Sequence, residues 1–92
     1  MGVLKVQRKP VTTNTEISFK FDNVGREFLV KNLTEGDIFI GFKAGEDNTE
    51  RILLPAATAQ VLSGMTVEGC DTVYIYSTVT HAKGVEVQCL SW

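Results

Sequence analysis

The sequence predicts an all-β protein, an antiparallel β-sandwich or jelly-roll-like single domain of about seven to eight short strands. Two observations lead to this prediction. Apolar and polar residues alternate over short runs, and Gly, Asp, Asn and Thr fill the gaps between the runs. At 92 residues the chain is long enough for one modest core. The clearest runs are 16–21, 26–32, 37–43, 71–78 and 84–91.

The first two runs show how the alternation defines a buried face. Three apolar side chains share one side of the first run, namely Ile17, Phe19 and Phe21. Polar and charged residues occupy the other side, as in a strand with one wet face. Segment 22–25 is predicted to turn the chain, after which Phe28 and Val30 continue the core.

The third run predicts a hairpin with the second, because only a short polar loop containing Glu35 and Gly36 separates them. One face of this run is apolar and carries Ile38, Ile40 and Phe42. The opposite face carries Phe39 and Gly41. A glycine within an apolar strand indicates a bulge or the close approach of another chain.

The middle of the chain is less regular. Ile52–Leu54 is predicted to form a short strand that ends at Pro55. Segment 56–65 fits either a strand, because its apolar residues alternate, or a short helical turn after the proline. We favour the strand, because Pro55 and Gly64 leave room for only a brief element.

The last two runs, 71–78 and 84–91, predict a terminal hairpin closed around His81. This register pairs Val73 with Cys89, Ile75 with Val87 and Ser77 with Val85, and so gathers the apolar residues on one face. The opposite face of this hairpin then carries large side chains, and we add Phe39 from the third run to the same group. We interpret these residues as an interface or as a face covered by the chain itself: Tyr74, Tyr76, Leu90, Trp92 and Phe39.

The N-terminal segment 1–15 is predicted to be an arm or a first strand, followed by a β-sandwich domain over 16–92. Leu4 to Gln7 favours a short strand, and Pro10 with the polar residues after it interrupts the pattern. The only basic cluster of the chain lies here. It makes the segment a candidate docking arm, with Lys5, Arg8 and Lys9 as its contacts.

Composition and motifs exclude several classes of function. A formal net charge of −2 argues against a nucleic-acid binder, which shows a basic stripe. No apolar run is long enough to span a bilayer, and no export signal is visible. The triplet that begins at Asn32 matches a glycosylation site, and without such a signal we interpret the match as chance. We therefore expect no nucleic-acid partner, no membrane partner and no secretion.

The sequence contains no recognisable set of catalytic residues and no motif for a cofactor or a metal ion. The single histidine, His81, is expected at an exposed loop tip without a positioned nucleophile. Three acidic residues, Glu46, Asp47 and Glu50, lack the spacing of an EF-hand and are expected to form a solvated loop. The two cysteines, Cys70 and Cys89, do not form a CxxC pair and are expected to be reduced thiols. The prediction is that the protein is not an enzyme.

Three stretches resemble short β-sandwich proteins of tailed bacteriophages and prophages. They are FLVKNLTEGDIFIGF, ERILLPAATAQVL and VYIYS, and the likeness spans about residues 26–91. Proteins of this kind are virion components: head-decoration, head-fibre or tail-associated proteins. The resemblance implies a non-enzymatic building block that forms a homo-oligomer, often a trimer, and docks on a larger particle. It also implies a location in a virion or in the cytoplasm of a bacterial host.

Two functions from different classes are therefore expected. The first is a self-associating structural protein of a phage virion. The alternative is a small module that binds carbohydrate or another ligand on exposed aromatic residues such as Tyr74, Tyr76 and Trp92.

Overall fold

The structure is a computed structural model that describes residues 5–63 and 69–91. These residues form eight strands and one short 3-10 turn. The strands are β1 (Lys5–Val11), β2 (Thr15–Gly25), β3 (Glu27–Asn32), β4 (Ile38–Gly41), β5 (Ile52–Leu54), β6 (Ala59–Leu62), β7 (Cys70–Ser77) and β8 (His81–Ser91), and the 3-10 turn is Asn48–Glu50. None of the described residues belongs to a helix that is long and apolar enough to cross a membrane.

The eight strands form two antiparallel four-stranded sheets. Sheet A has the order β1-β8-β3-β6, and sheet B has the order β2-β7-β4-β5. The pairing is nested: the first strand pairs with the eighth, the second with the seventh, the third with the sixth and the fourth with the fifth. This is the arrangement of an eight-stranded jelly roll, so the predicted fold class is confirmed.

The core lies between the sheets and is built from alternate residues of every strand. The largest completely buried side chains include Phe19, Phe28, Ile38, Ile40 and Ile75. Each stabilises the fold by about 1.5–3 kcal/mol relative to an exposed side chain. The predicted inward faces of the strands are therefore confirmed, and Phe42 packs half-buried against the same core.

The predicted hairpins are wrong. β7 and β8 belong to different sheets, and Val73 pairs with Phe19 whereas Cys89 pairs with Phe28. β3 and β4 are likewise in different sheets, so only β4 and β5 form a hairpin of consecutive strands. The reason is physical. Alternation identifies which residues face the core, but two inward faces meet equally well across the core or side by side in one sheet.

Segment 22–25 is not the turn that the sequence predicts. It is the last part of β2, whose pairing with β7 is irregular between Lys20 and Gly25. The chain then passes to sheet A through a single residue, Arg26.

Residues 5–11 form the strand β1 at the edge of sheet A. Of the two predicted alternatives, an arm or a first strand, they are a first strand. Pro10 is compatible with this position because an edge strand has one unpaired side. Opposite it, Gly84 has a φ of +64°, and a Cβ there would overlap the carbonyl group of Lys9. Glycine therefore permits the irregularity between Lys9 and Val11.

The favoured strand within 56–65 is present but shorter. It is β6, Ala59–Leu62, and the chain turns before it with Ala57 at a φ of +58°. Residues 64 and 65 of the predicted segment lie outside the described residues, as does Trp92.

Candidate functional site

The predicted aromatic cluster is divided between the two outer faces of the sandwich. Tyr74 and Tyr76 lie half-buried on the outer face of sheet B, where Phe39 is the cross-strand partner of Tyr76. Leu90 belongs to β8 and lies on the outer face of sheet A. Grouping Leu90 with the tyrosines was therefore wrong, because it depended on the hairpin that does not form. Trp92 lies outside the described residues.

A row of four side chains crosses the outer face of sheet B. Glu16, Tyr76, Phe39 and Leu53 are successive partners on its four strands. The rings of Phe39 and Tyr76 meet edge to face, with centroids 6.4 Å apart, a geometry that aromatic pairs prefer. The row ends on the edge strand β5 at Leu53, whose exposed fraction is 49%.

Gly41 explains how a charged side chain is buried on this same face. Gly41 pairs with Tyr74, so the position of its absent Cβ is on the outer side. A Cβ there would lie 2.8 Å from Arg51 Nε and 3.0 Å from Arg51 Cγ. The group that closely approaches Gly41 is therefore a side chain of the same chain, whereas the sequence analysis expects a bulge or another chain.

Arg51 attaches the loop 43–50 to the outer face of sheet B. Its side chain is only 1% exposed, and its guanidinium donates to Glu16 Oε1 at 2.5 Å and to the Lys43 carbonyl at 2.9 Å. The Gly45 amide also donates to the Glu16 carboxylate. Hydrogen bonding from Arg51 is the main cause that lowers the pKa of Glu16. The outer face of sheet B is thus partly covered by the loop 43–50 of the same chain.

One donor in this cluster has no hydrogen-bond partner. Arg51 Nε is buried and has no hydrogen-bond partner within the described residues, and Glu46 Oε1 is 3.9 Å away from it. A charge-assisted hydrogen bond needs a distance of about 2.7–2.9 Å, so Glu46 contributes charge and not a bond.

The acidic loop is more ordered than the sequence predicts. Asp47 Oδ1 accepts hydrogen bonds from the backbone amide of Thr49 at 2.9 Å and from its hydroxyl at 3.0 Å. These bonds cap the 3-10 turn and lower the pKa of Asp47. Glu50 is exposed, as expected. The three carboxylates therefore have separate roles and do not converge on one point.

The outer face of sheet A carries a second cross-strand row. Val6, Gln88, Leu29 and Val61 are successive partners on its four strands. The row ends are the most accessible part, because Val6 is 46% exposed and Val61 is 50% exposed.

A row of charges lies beside these apolar residues. Glu86 is flanked by Arg8 at 3.4 Å and Lys31 at 3.5 Å, one on each neighbouring strand. A hydrogen bond from Gln88, together with these cations, lowers the pKa of Glu86.

The basic residues proposed as docking contacts are engaged within the sandwich. Arg8 pairs with Glu86, as described above. Lys9 donates to the Ser18 carbonyl at 2.6 Å and lies 5.2 Å from the centre of the Phe19 ring. Lys5 pairs with Cys89 in the ladder of β1 and β8. These residues therefore hold β1 to the two sheets, and their predicted docking role stays a prediction.

A buried amide joins the connections at one end of the sandwich. Asn32 is 1% exposed, and its Nδ2 lies within 2.9–3.1 Å of the carbonyl oxygens of Gly36, Leu54 and Pro55. Its Oδ1 accepts from the amide and the hydroxyl of Thr34. One side chain thus ties the β3–β4 connection to the β5–β6 connection. The asparagine of the apparent glycosylation triplet is a structural residue.

A shallow groove of about 400 Å³ lies beside Asn32 on sheet A. Its floor is mostly apolar, and two lysines stand at its rim. The lining residues are Lys31, Asn32, Leu33, Ala57, Thr58, Ala59 and Lys83. The groove is open to solvent, and its volume lies in the range of small-ligand sites.

The thiols and the histidine form no reactive cluster in the part of the chain that the structure describes. Burial raises the pKa of both Cys70 and Cys89, which disfavours the thiolate. Cys70 begins β7 and packs against the core. His81 is the first residue of β8, and its Nδ1 accepts from the Lys83 amide. Across 5–63 and 69–91 no group of three His, Cys, Asp or Glu residues is placed to hold a metal ion.

Comparisons with known proteins identify no relative. No protein-family model matches the chain, and neither the curated proteins nor the solved structures contain a significant match. The features that sequence reasoning missed are the burial of Arg51 and the network of Asn32. The available signals were Gly41 on an outward-facing strand position and an Asn-x-Thr triplet where a strand ends.

Proposed function

We propose that the protein is a self-associating structural module of the kind used in phage virions. One observation carries this proposal: each outer face is crossed by a row of three apolar or aromatic residues and one polar residue, and the row ends at an exposed aliphatic side chain on an edge strand. Leu53 is 49% exposed on β5 and Val61 is 50% exposed on β6. Segment 55–58 joins these strands, so both residues lie at the same side of the sandwich.

Edge strands with exposed apolar residues are sites of association. Their unpaired backbone groups are available to another chain, and natural proteins protect such edges with charges or by covering them. β5 and β6 carry no Lys, Asp or Glu within their bounds. A copy of the chain that covers them removes both the exposed apolar side chains and the open edge from water.

The fold and the sequence resemblance give further support. Jelly rolls occur in viral capsid proteins and in lectins, although a fold by itself does not define a function. The resemblance to phage and prophage β-sandwich proteins favours the first of these settings. It also supports a homo-oligomer, with three copies as the number that the resemblance implies, docked on a larger particle.

The test compares two substitutions at equally exposed residues. Leu53→Asp places a charge on the β5 edge, whereas Val24→Asp places one on β2, where Val24 is also 49% exposed. Light scattering after size exclusion then measures the mass of each variant and of the wild type. We expect an oligomer for the wild type and for Val24→Asp, and a monomer for Leu53→Asp. A wild-type monomer at every concentration would overturn the proposal.

The groove on sheet A favours a second candidate function, the binding of a small carbohydrate. Tyr74 and Tyr76 are half-buried, so the groove provides a more accessible surface than these rings. Its apolar floor suits the flat face of a sugar ring, and Lys31 and Lys83 suit a carboxylate substituent. Nuclear magnetic resonance titration with glucuronate and with glucose tests it. Shifts at Ala57–Ala59 that disappear in Lys83→Ala would support binding, and no shifts with either sugar would exclude these two ligands.

A further inference from the structure

The two cysteines of the chain lie at the same end of the sandwich, one on each sheet. Cys70 begins β7 on sheet B, and Cys89 lies near the end of β8 on sheet A. Segment 78–80 joins these two strands at the other end. Cys70 precedes Thr78 by eight residues and Cys89 follows Thr80 by nine. Because the rise per residue is similar in both strands, the two cysteines lie at the same level of the sandwich.

The two sheets come close together at this end. Gly25, the last residue of β2 on sheet B, pairs with Cys70. Glu27, the first residue of β3 on sheet A, pairs with Ser91. Only Arg26 separates Gly25 from Glu27, so the Cα atoms of these two residues are at most about 7 Å apart. A disulfide joins residues whose Cα atoms are about 4.4–6.8 Å apart, so the sheets are close enough here for one.

Both cysteine side chains lie next to the space that Gly25 leaves empty. Cys89 is completely buried, and its Sγ would lie 2.7 Å from a Cβ at Gly25. Cys70 is the cross-strand partner of Gly25, and it packs against the core. Burial raises the pKa of Cys70, and the nearby Cys89 raises it further. Gly25 therefore has one cysteine beside it in sheet B and the other facing it from sheet A.

From this arrangement we propose that Cys70 and Cys89 are a disulfide site, and that the bond links sheet B to sheet A within one chain. The bond closes residues 70–89 into a loop in which β7 and β8 are joined at both ends. The chain has only these two cysteines, so no other pairing within one chain is possible. This inference goes beyond the proposed function and does not depend on self-association.

Formation of the bond needs an oxidant, which a low-molecular-weight disulfide such as oxidised glutathione supplies. Cys70 reacts first, because it is half-buried whereas Cys89 is completely buried. Its thiolate attacks one sulfur of oxidised glutathione and releases one glutathione. The Cys89 thiolate then attacks the Cys70 sulfur and releases the second. Two cysteine thiols are oxidised to one disulfide, and their two protons end on the two reduced glutathione molecules.

The state of the site follows the redox conditions. Burial raises the pKa of both thiols, so neither is a reactive nucleophile by itself and the exchange is slow near neutral pH. Disulfides are rare in reducing compartments and persist in oxidising ones. The two thiols therefore stay reduced in a reducing compartment, as predicted from the sequence, and pair in an oxidising one.

The experiment measures how strongly the fold favours the bond, using the wild-type chain. The protein is equilibrated in mixtures of reduced and oxidised glutathione, once folded and once unfolded in urea, and the remaining thiols are blocked with iodoacetamide. Trypsin cleaves after Lys83 and so separates Cys70 from Cys89. Mass spectrometry then detects the bond as a linked pair of the peptides 52–83 and 84–92, and the intact mass shows whether it lies within one chain.

We expect the equilibrium constant for bond formation to be about tenfold or more higher in the folded chain than in urea, because the fold holds the two thiols together. By the same linkage, the oxidised chain should have a Tm about 10 °C or more above that of the reduced chain. In Cys70→Ser the oxidant should leave the Tm unchanged. Cys89→Ala should accumulate a mixed disulfide of Cys70 with glutathione, and circular dichroism checks that both variants are folded.

A bond that forms no more readily in the folded chain than in urea would overturn the proposal, because the native geometry would then oppose the pair. A disulfide found only between two chains would also overturn it. Both results come from the wild type, so they decide the proposal even if a variant does not fold. Neither depends on the number of associated copies, so failure here leaves the proposed self-association standing, and a monomeric wild type leaves this disulfide site standing.

Discussion

Two buried polar side chains, Asn32 and Arg51, hold loops at different places on the sandwich by different means. Asn32 is neutral, and both its donor and its acceptor atoms have partners. Arg51 is charged, and its Nε has no hydrogen-bond partner although its side chain is equally buried. The Asn32 amide therefore joins elements of the fold itself, whereas the Arg51 guanidinium attaches a loop to the outer face of a sheet.

The two sites differ also in their access to water. The carbonyls bonded to Asn32 belong to the connections between sheets and are partly or completely buried. The carboxylates facing Arg51 are about a quarter exposed, so water can solvate them if Arg51 is lost. A buried group without a partner costs more than an accessible one. Disrupting the Asn32 site is therefore expected to cost more than disrupting the Arg51 site.

The largest effect is expected for Asn32→Ala. It leaves the Leu54 and Pro55 carbonyls and the Thr34 amide without this partner, and the free energy of unfolding should fall by about 2–4 kcal/mol. Thr58→Ala is the control, because its hydroxyl donates to the same Pro55 carbonyl from an exposed position. Urea unfolding measures both. Equal losses in the two variants would contradict the role given to Asn32.

A smaller effect is expected for Arg51→Met, which keeps an unbranched apolar side chain over Gly41 but removes the charge. Glu16 and Glu46 then lose their cation while remaining partly hydrated, so the loss should be about 1–2 kcal/mol at neutral pH. Urea unfolding at pH 7 and at pH 3 measures it. The difference between variant and wild type should shrink at pH 3, and a difference that grows would contradict the account.

Gly41→Ala is expected to destabilise the wild type by about 1–2 kcal/mol, because the new Cβ would lie 2.8 Å from Arg51 Nε and 2.9 Å from Glu46 Oε1. In the Arg51→Met background the neighbouring side chain is more adaptable, so the same substitution should cost less there. Thermal unfolding of the four proteins in this double-mutant cycle measures the coupling. Strict additivity would show that the two residues do not compete for space.

The smallest effect concerns pH. The pKa of Glu16 is lowered in the folded protein, so its contribution to stability is present above the unfolded pKa and is lost as the pH falls through the folded pKa. Because Glu16 is partly exposed, Glu16→Gln should cost less than about 1 kcal/mol at pH 7 and less still in acid. Chemical unfolding from pH 7 to pH 2 measures the difference. A cost that stays constant with pH would assign Glu16 a role other than its charge.

The sequence predicts the buried faces of this fold much better than its pairing. The period of two identifies Phe19, Phe28 and Ile75 as core, and all three are completely buried. It does not identify which strands pair. In the jelly roll the paired strands are far apart in the sequence, as with β1 and β8 or β2 and β7. Short loops such as 78–80 look like hairpin turns in the sequence but connect the two sheets.

Part of the candidate site can be predicted from the sequence, because alternation indicates which residues face outward but not which strands are neighbours. The outward positions of Tyr74, Tyr76 and Phe39 follow from alternation, and the structure brings them together on sheet B. Leu90 also faces outward, but its grouping with these residues depends on the predicted hairpin and is wrong, because it lies on sheet A. Gly41 at an outward-facing position indicates space for a close approach but not which side chain fills it. The contact between Arg51 and Glu16 joins residues 35 positions apart, so the local pattern does not identify it.

The central claim is that copies of this chain associate with one another. Sedimentation equilibrium of the wild type over a wide concentration range tests it most directly. The account predicts a weight-average mass that rises above the 10.1 kDa of one chain as the concentration rises. A mass of 10.1 kDa at every concentration would contradict it.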